Sequence, residues 1–99
     1  MVKHIVMWRI NPSEGQSREQ TLSTMRNALN GLPAQISVIK GYEVGVASSR
    51  SPSSYDIVLI SAFDSWEDLK AYRDHPEHVK VKDYIAEIRT EAAVVDYEI

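Results

Sequence analysis

The sequence predicts an α+β fold: a four-stranded antiparallel sheet with helices on one side, its elements in the order β-α-β-β-α-β. Three observations carry the prediction. Strand-like runs open and close the chain, and two stretches of helical periodicity alternate with the strands. The third strand run is apolar on both of its faces, so helices on one side leave the other in need of a cover. A chain of 99 residues is one domain, 1–99, and a domain this small buries only roughly 60 to 65% of its unfolded surface. A second copy laid on the uncovered face would thicken the core.

The elements follow in order. Val2 to Ile10 is rich in β-branched and aromatic residues and stops at Asn11-Pro12, where proline ends ladder pairing. Ser17-Arg18-Glu19-Gln20 fits a capping box, and Leu22, Met25, Leu29 and Leu32 recur at helical spacing until Gly31 and Pro33 stop the helix. A start nearer Ser13 also fits this helix. Ile36 to Val46 reads as a second strand, with Gly41 and Gly45 marking a bulge or a close backbone approach. A polar loop over Ser48 to Ser54 leads into a third strand, Tyr55 to Phe63. Ser65, with Asp68 three residues on, starts a short helix through Trp66, Leu69 and Tyr72, which Pro76 interrupts. Pro76 suits the first turn of a new helix with Val81, Tyr84, Ile85 and Ile88 as its apolar stripe, and Ala92 to Ile99 closes the chain as a fourth strand.

This order is the ferredoxin-like plan, with both helical stretches on one face of the sheet. In the third strand Tyr55, Ile57, Leu59 and Phe63 alternate with Val58, Ile60 and Ala62; in the first, Val2, His4, Val6, Trp8 and Ile10 alternate with Ile5 and Met7. Each large apolar side chain left in water forgoes roughly 1.5 to 3 kcal/mol, so a second sheet is expected over the face that the helices leave bare.

Composition excludes several classes of function. With 11 basic and 14 acidic residues the net charge is −3, and no Lys/Arg cluster exists to neutralise a phosphate backbone, so nucleic acid is not an expected partner. There is no cysteine, which removes disulfides and thiolate chemistry. No apolar run approaches the ~18 residues of a membrane span, and Met1-Val2-Lys3-His4 opens into a strand pattern rather than a leader segment. The expectation is a cytoplasmic protein, with no membrane partner, whose chain starts at or near Met1. No phosphate-binding glycine loop, Ser-His-Asp order or dinucleotide fingerprint is present, so no cofactor is expected.

Three segments carry a family resemblance: the opening Met1-Val2-Lys3-His4-Ile5-Val6-Met7-Trp8, the stretch Ala71-Tyr72-Arg73-Asp74-His75-Pro76-Glu77-His78-Val79, and the ending Val94-Val95-Asp96-Tyr97-Glu98. Together they resemble the stress-responsive A/B barrel domain family of the dimeric α/β-barrel superfamily, over essentially the whole chain. The resemblance implies a homodimer in which two sheets close into a barrel with the helices outside. Members include plant stress proteins, many bacterial proteins of no assigned activity, and a plant polyketide cyclase that closes a linear tetraketide by intramolecular aldol condensation. By resemblance to that cyclase, His78 would be a general base abstracting a proton from an activated methylene, and Tyr72 would hold or polarise a carbonyl.

The residues themselves allow this chemistry. An imidazole ordinarily titrates near neutrality, and a positioned general base is worth about 10² to 10⁴ in rate; a phenol can stabilise a developing enolate. His4 puts a polar tip on the apolar face of Val6 and Trp8, where it is either a core histidine held by a carbonyl or a group that meets a ligand. His75, just before Pro76, is placed to cap the following helix or to bind the broken backbone. His75 and His78 lack the i, i+4 spacing of the helical zinc motif, and no third ligand has a defined place, so no transition-metal site is expected, although a hard cation near a dimer interface stays open. The charges of the later helices, such as Glu67, Lys70, Lys80, Lys82 and Asp83, read as solvated faces.

Two functions follow, and a cavity inside the barrel discriminates between them. One is a pocket protein for a small apolar carbonyl or phenolic ligand, with catalytic His78 and Tyr72, and with His4, Trp8, Ile5, Val58, Phe63 and His75 as binding residues. It would be a cyclase-like or, by fold analogy, a cofactor-free monooxygenase-like enzyme. The other is a non-catalytic stress-associated or assembly protein with structural histidines, its barrel filled by side chains such as Trp8 and Tyr42.

Overall fold

The computed structural model describes residues 1–99 and contains four strands and three helices: β1 (Val2–Ile10), α1 (Arg18–Asn30), β2 (Gly41–Val46), β3 (Ile57–Phe63), α2 (Trp66–Asp74), α3 (Pro76–Ile88) and β4 (Arg89–Glu98). All strand pairs are antiparallel in the sheet order β2-β3-β1-β4, the ferredoxin-like arrangement that the sequence predicts. β1 lies at the centre because it carries the longest apolar alternation, and the chain's last strand closes the sheet as an edge.

Local signals fix the helix ends. Ser17 accepts the N–H of Gln20, whose side chain in turn accepts the N–H of Ser17, completing a capping box at the start of α1. Gly15, at φ 78°, supplies the left-handed residue that turns the chain between β1 and this cap. Ser65 caps α2 by accepting the N–H of Asp68.

The sheet's helix-side face carries two adjoining apolar clusters. The larger joins Val6, Trp8 and Ile10 of β1 and Ile57 and Leu59 of β3 to Leu22, Met25 and Leu29 of α1, with Ile85 and Ile88 of α3 closing it. The smaller gathers Val2, Leu32, Ile36, Phe63, Leu69 and Tyr72 at the end of the sheet where α2 crosses.

Three boundaries differ from the sequence reading. The stretch expected to begin β2 at Ile36 is a series of tight turns, with Gln35 and Ile36 N–H groups donating to the Leu32 carbonyl, and the strand begins only at Gly41. Its apolar residues Ile36, Val38 and Ile39 are satisfied by packing on the smaller cluster instead of by ladder pairing. At β3 the alternation breaks before Ile57. Asp56 turns inward, its carboxylate accepting the Ile10 N–H at 2.9 Å and pairing with Arg18, while the Tyr55 ring lies under the Arg9 guanidinium at 4.5 Å. Tyr55 therefore leaves the face of Ile57 and Leu59, because a buried carboxylate continues the ladder where a backbone carbonyl would have stood. β4 starts at Arg89, immediately after α3, rather than at Ala92. Of the two strand glycines, Gly45 marks a close approach, since a Cβ there would meet Val58 Cγ1 at 3.2 Å; the β2–β3 register runs without a bulge.

The other sheet face has no helix over it. It presents Ile5 and Met7 of β1, Val58 and Ile60 of β3, and Val95 and Tyr97 of β4. Met7, Val95 and Tyr97 are 38, 58 and 41% exposed, an apolar surface of the kind that a second chain covers.

Met25 has no exposed surface and sits where α1 meets the sheet. Met25→Ala is expected to lower stability by about 2 to 5 kcal/mol in urea unfolding, the range for emptying a buried long side chain to alanine.

Candidate functional site

The break between α2 and α3 builds the site. In a continuous helix the Glu77 N–H would donate to the Arg73 carbonyl, four residues back. Pro76 prevents this, because its ring clashes with the preceding turn and holds His75 in an extended conformation, with ψ 134°. The two separated groups find histidines instead. The Glu77 N–H donates to His75 Nδ1 at 3.1 Å, and the Arg73 carbonyl accepts from His78 Nδ1 at 2.9 Å. His75 is thereby the N-cap of α3, and His78 is fixed in one tautomer, with its proton on Nδ1 and its lone pair on Nε2.

His78 lies over the ring of Tyr72, centroids 4.5 Å apart, and Tyr72 in turn meets the edge of His4 at 6.2 Å. Beneath them is a cavity of about 210 Å³ between α3 and the helix side of the sheet. β1 supplies His4, Val6 and Trp8 to its wall, and β4 supplies Ala92 and Val94. Tyr72, Leu29 and Leu59 also line it, while Val81, Lys82, Ile85 and Ala86 follow His78 along α3, with Arg89 just beyond. The volume is below the ~300 to 1,000 Å³ common for ligand sites, which sets the scale of an occupant at a small molecule.

The polar groups are constrained from behind. His4 is buried, and its Nδ1–H donates to Asp96 Oδ1 at 2.5 Å; the other carboxylate oxygen accepts from Arg73 at 2.5 Å. This places Nε2 of His4 as the free ring atom, since a carboxylate can only accept. The Tyr72 and Tyr42 hydroxyls lie 3.4 Å apart, long for an O–H···O bond. One donates to the other, so one phenol proton is left over for a further acceptor. Burial raises both phenols above the ordinary tyrosine range, so both stay protonated near neutrality. His78 moves the other way. Burial pushes its pKa below the usual 6.5, the Arg73 carbonyl partly offsets this, and the nearby His4, Lys82 and Arg73 lower it further. The imidazole is therefore neutral, and able to accept a proton, at pH values where an ordinary histidine is half charged.

Of the residues singled out from the sequence, His4, Trp8, Tyr72 and His78 come together around this cavity. Ile5 and Val58 lie on the opposite sheet face, because strand alternation cannot place Ile5 beside Trp8 in one wall. Phe63 is fully buried and packs on the Tyr72 ring at 5.1 Å without bordering the cavity. His75 is occupied as the cap of α3. The cavity thus lies within one protomer under α3, not between two sheets inside a barrel. Asp96, Lys82 and Arg89 join the site unannounced: Asp96 depends on the β1–β4 register, whereas Lys82 stands four residues after His78, a spacing that places both on one helix face. No three histidines or carboxylates converge at metal-ligating distance, and no helix is long and apolar enough to cross a membrane.

A family model described as the stress responsive A/B barrel domain matches residues 2–99. The chain belongs to that family. A solved structure, a dimeric protein of unknown function and ferredoxin-like fold from Bacteroides fragilis, is 39% identical with a TM-score of 0.79, covering 99% of this chain and 95% of its own. A stress-response A/B barrel domain-containing protein of Arabidopsis thaliana is 30% identical over 98% of this chain, which spans only 46% of that longer relative. The hydroxynitrile lyase of Passiflora edulis is 18% identical with a TM-score of 0.82 over 99% of this chain and 92% of its own, a likeness of fold alone.

The His78 environment gives a direct check. Its imidazole is expected to titrate below 6.5 by NMR, and Lys82→Gln to move the midpoint upward by removing a neighbouring positive charge. A folded-state pKa below the unfolded one also means that the unfolded chain binds more protons in that window. The His78 contribution to stability is thus present above about pH 6.5 and declines as pH falls through the window just below it.

Proposed function

We propose that the protein is a homodimer which binds a small apolar carbonyl compound in the cavity under α3, and that His78 acts on the bound ligand as a general base while Tyr72 donates to its carbonyl oxygen. The observation that carries this reading is the tautomer of His78. Its Nδ1–H is committed to the Arg73 carbonyl, which leaves the basic Nε2 as the available atom of a ring that borders the cavity. The depressed pKa keeps that atom unprotonated, and the left-over phenol proton of the Tyr42–Tyr72 pair suits an oxygen on which negative charge develops. The resemblance to a polyketide cyclase points to the same two residues, and the fold is shared with a hydroxynitrile lyase.

One observation favours a second reading, in which the histidines are structural: His75 and His78 each satisfy one half of the broken helical hydrogen bond. Proton exchange separates the two. In D₂O, loss of the central methylene protons of benzoylacetone is expected to be faster with the protein than in matched buffer. His78→Ala should slow that exchange by about 10² to 10⁴, and Tyr72→Phe by a smaller factor. Exchange no faster than buffer, across a panel of such 1,3-dicarbonyls, would leave the structural reading standing.

The dimer rests on the bare apolar face and on the dimeric description of the Bacteroides relative. Val95→Asp, in the middle of β4 on that face, is expected to convert the protein to a monomer in size-exclusion chromatography with light scattering. An unchanged mass would move the interface elsewhere.

A further inference from the structure

The charged side chains that line the cavity are cationic, and the carboxylate drawn into the site, Asp96, stands behind His4 and is taken up by that ring and by Arg73. The cavity lining includes two histidines, Lys82 and Arg89, and not one of the chain's 14 acidic residues, in a protein whose net charge is −3. Elsewhere six cations are matched, Lys70 pairing with Asp74 at 2.7 Å and Lys80 with Glu77 at 3.2 Å on α2 and α3, and Arg9, Arg18, Lys40 and Arg73 also meeting carboxylates, while Lys3, Arg26 and Arg50, away from the cavity, are in no ion pair. Lys82 and Arg89, at the cavity's border, meet none. They lie seven residues apart, two turns or about 10 Å along the helix line, with Ala86 between them, so the rim has two cations flanking a small side chain.

We infer that the ligand of this site carries an anionic group, a carboxylate on an otherwise apolar body, which Lys82 and Arg89 hold at the rim while the apolar part lies against Trp8, Val6 and Ile85. This deepens the proposed pocket function and rests on it. The geometry sorts a ligand along α3: the histidine–tyrosine end, by the first turn, receives the reacting oxygen, and the cationic end receives the charge. An amide or alcohol of the same shape would leave the two cations solvated and gain nothing from them. The acceptor geometry of a carboxylate matches the fork of Arg89, and Lys82 adds a second donor from two turns earlier. The positive surroundings that lower the His78 pKa include Lys82, so a bound anion at the rim would also return the imidazole towards its ordinary basicity.

The test compares three probes that share one aromatic body: 2-naphthoate, neutral 2-naphthamide and cationic 2-naphthylmethylammonium. Binding to the intact protein is followed by calorimetry at low ionic strength, and by NMR of the Trp8 indole and the His78 ring to place each probe in the cavity. The expected result is that naphthoate binds about five- to tenfold more tightly than the amide, that the cation binds most weakly, and that the preference shrinks with added salt. Lys82→Gln with Arg89→Gln, both at exposed positions, should bring acid and amide to within about twofold while the Trp8 signal still moves. Acid and amide binding equally well in the cavity of the unaltered protein would overturn the anionic inference and leave the pocket function intact. Naphthoate binding without moving Trp8 or His78 would also overturn it, as an ordinary surface ion pair. If no probe moves either signal, the pocket reading fails together with the inference.

Discussion

One proline ring organises the candidate site. In a helix unbroken at residue 76, α2 and α3 would run on and the carbonyl of Arg73 would be spent on Glu77. Pro76 turns the chain instead, and the surplus donor and acceptor are taken up by the imidazoles that flank it. The same turn swings the first residues of α3 over Tyr72, so the feature that repairs the backbone also hangs a basic nitrogen above a buried phenol. A stabilising role and a chemical role are therefore not rivals at His78, because the hydrogen bond that satisfies the helix end is also what selects the tautomer.

The sheet divides the remaining work by parity. Odd and even residues of β1 serve different partners: His4, Val6 and Trp8 face the helices and the cavity, while Ile5 and Met7 face outward with Val95 and Tyr97. Substituting one set leaves the other in place, so the cavity wall and the outward apolar face can be altered separately. Asp96 is the link between the edge and the interior, since it lies on β4 yet anchors the imidazole of His4 and draws in Arg73 from α2.

Much of this architecture was legible in the sequence, and the parts that were not share a cause. Capping residues, proline and apolar periodicity act within a few residues of one another, so α1, the α2–α3 break and the limits of β1 could be read directly. The start of β2 could not, because Val38 and Ile39 have strand-like side chains that are satisfied by packing beneath a turn. Asp56 fell within the stretch read as the third strand, and only the approach of Ile10 and Arg18 from distant elements explains its burial. At the candidate site, Tyr72, His78, His4 and Trp8 stood out by residue type. Ile5, Val58 and Phe63 were drawn in by hydrophobicity alone, which carries no information about which face of a strand, or which side of an aromatic ring, borders a void. The His4–Asp96 contact spans 92 positions and depends on register, which composition does not encode.

The fastening of His78 has a consequence for how protons travel. An imidazole free to rotate can collect a proton on one nitrogen and release it to bulk solvent from the other, as a shuttle does. Here the rear nitrogen is already protonated and tied to a carbonyl, so a proton that arrives on Nε2 must depart from Nε2. Such a ring works as a short-term lender, not a relay. It suits transformations in which the hydrogen removed from one carbon or oxygen is given back to the same molecule, and it is poorly matched to those that must export an acid equivalent to the medium at every turnover.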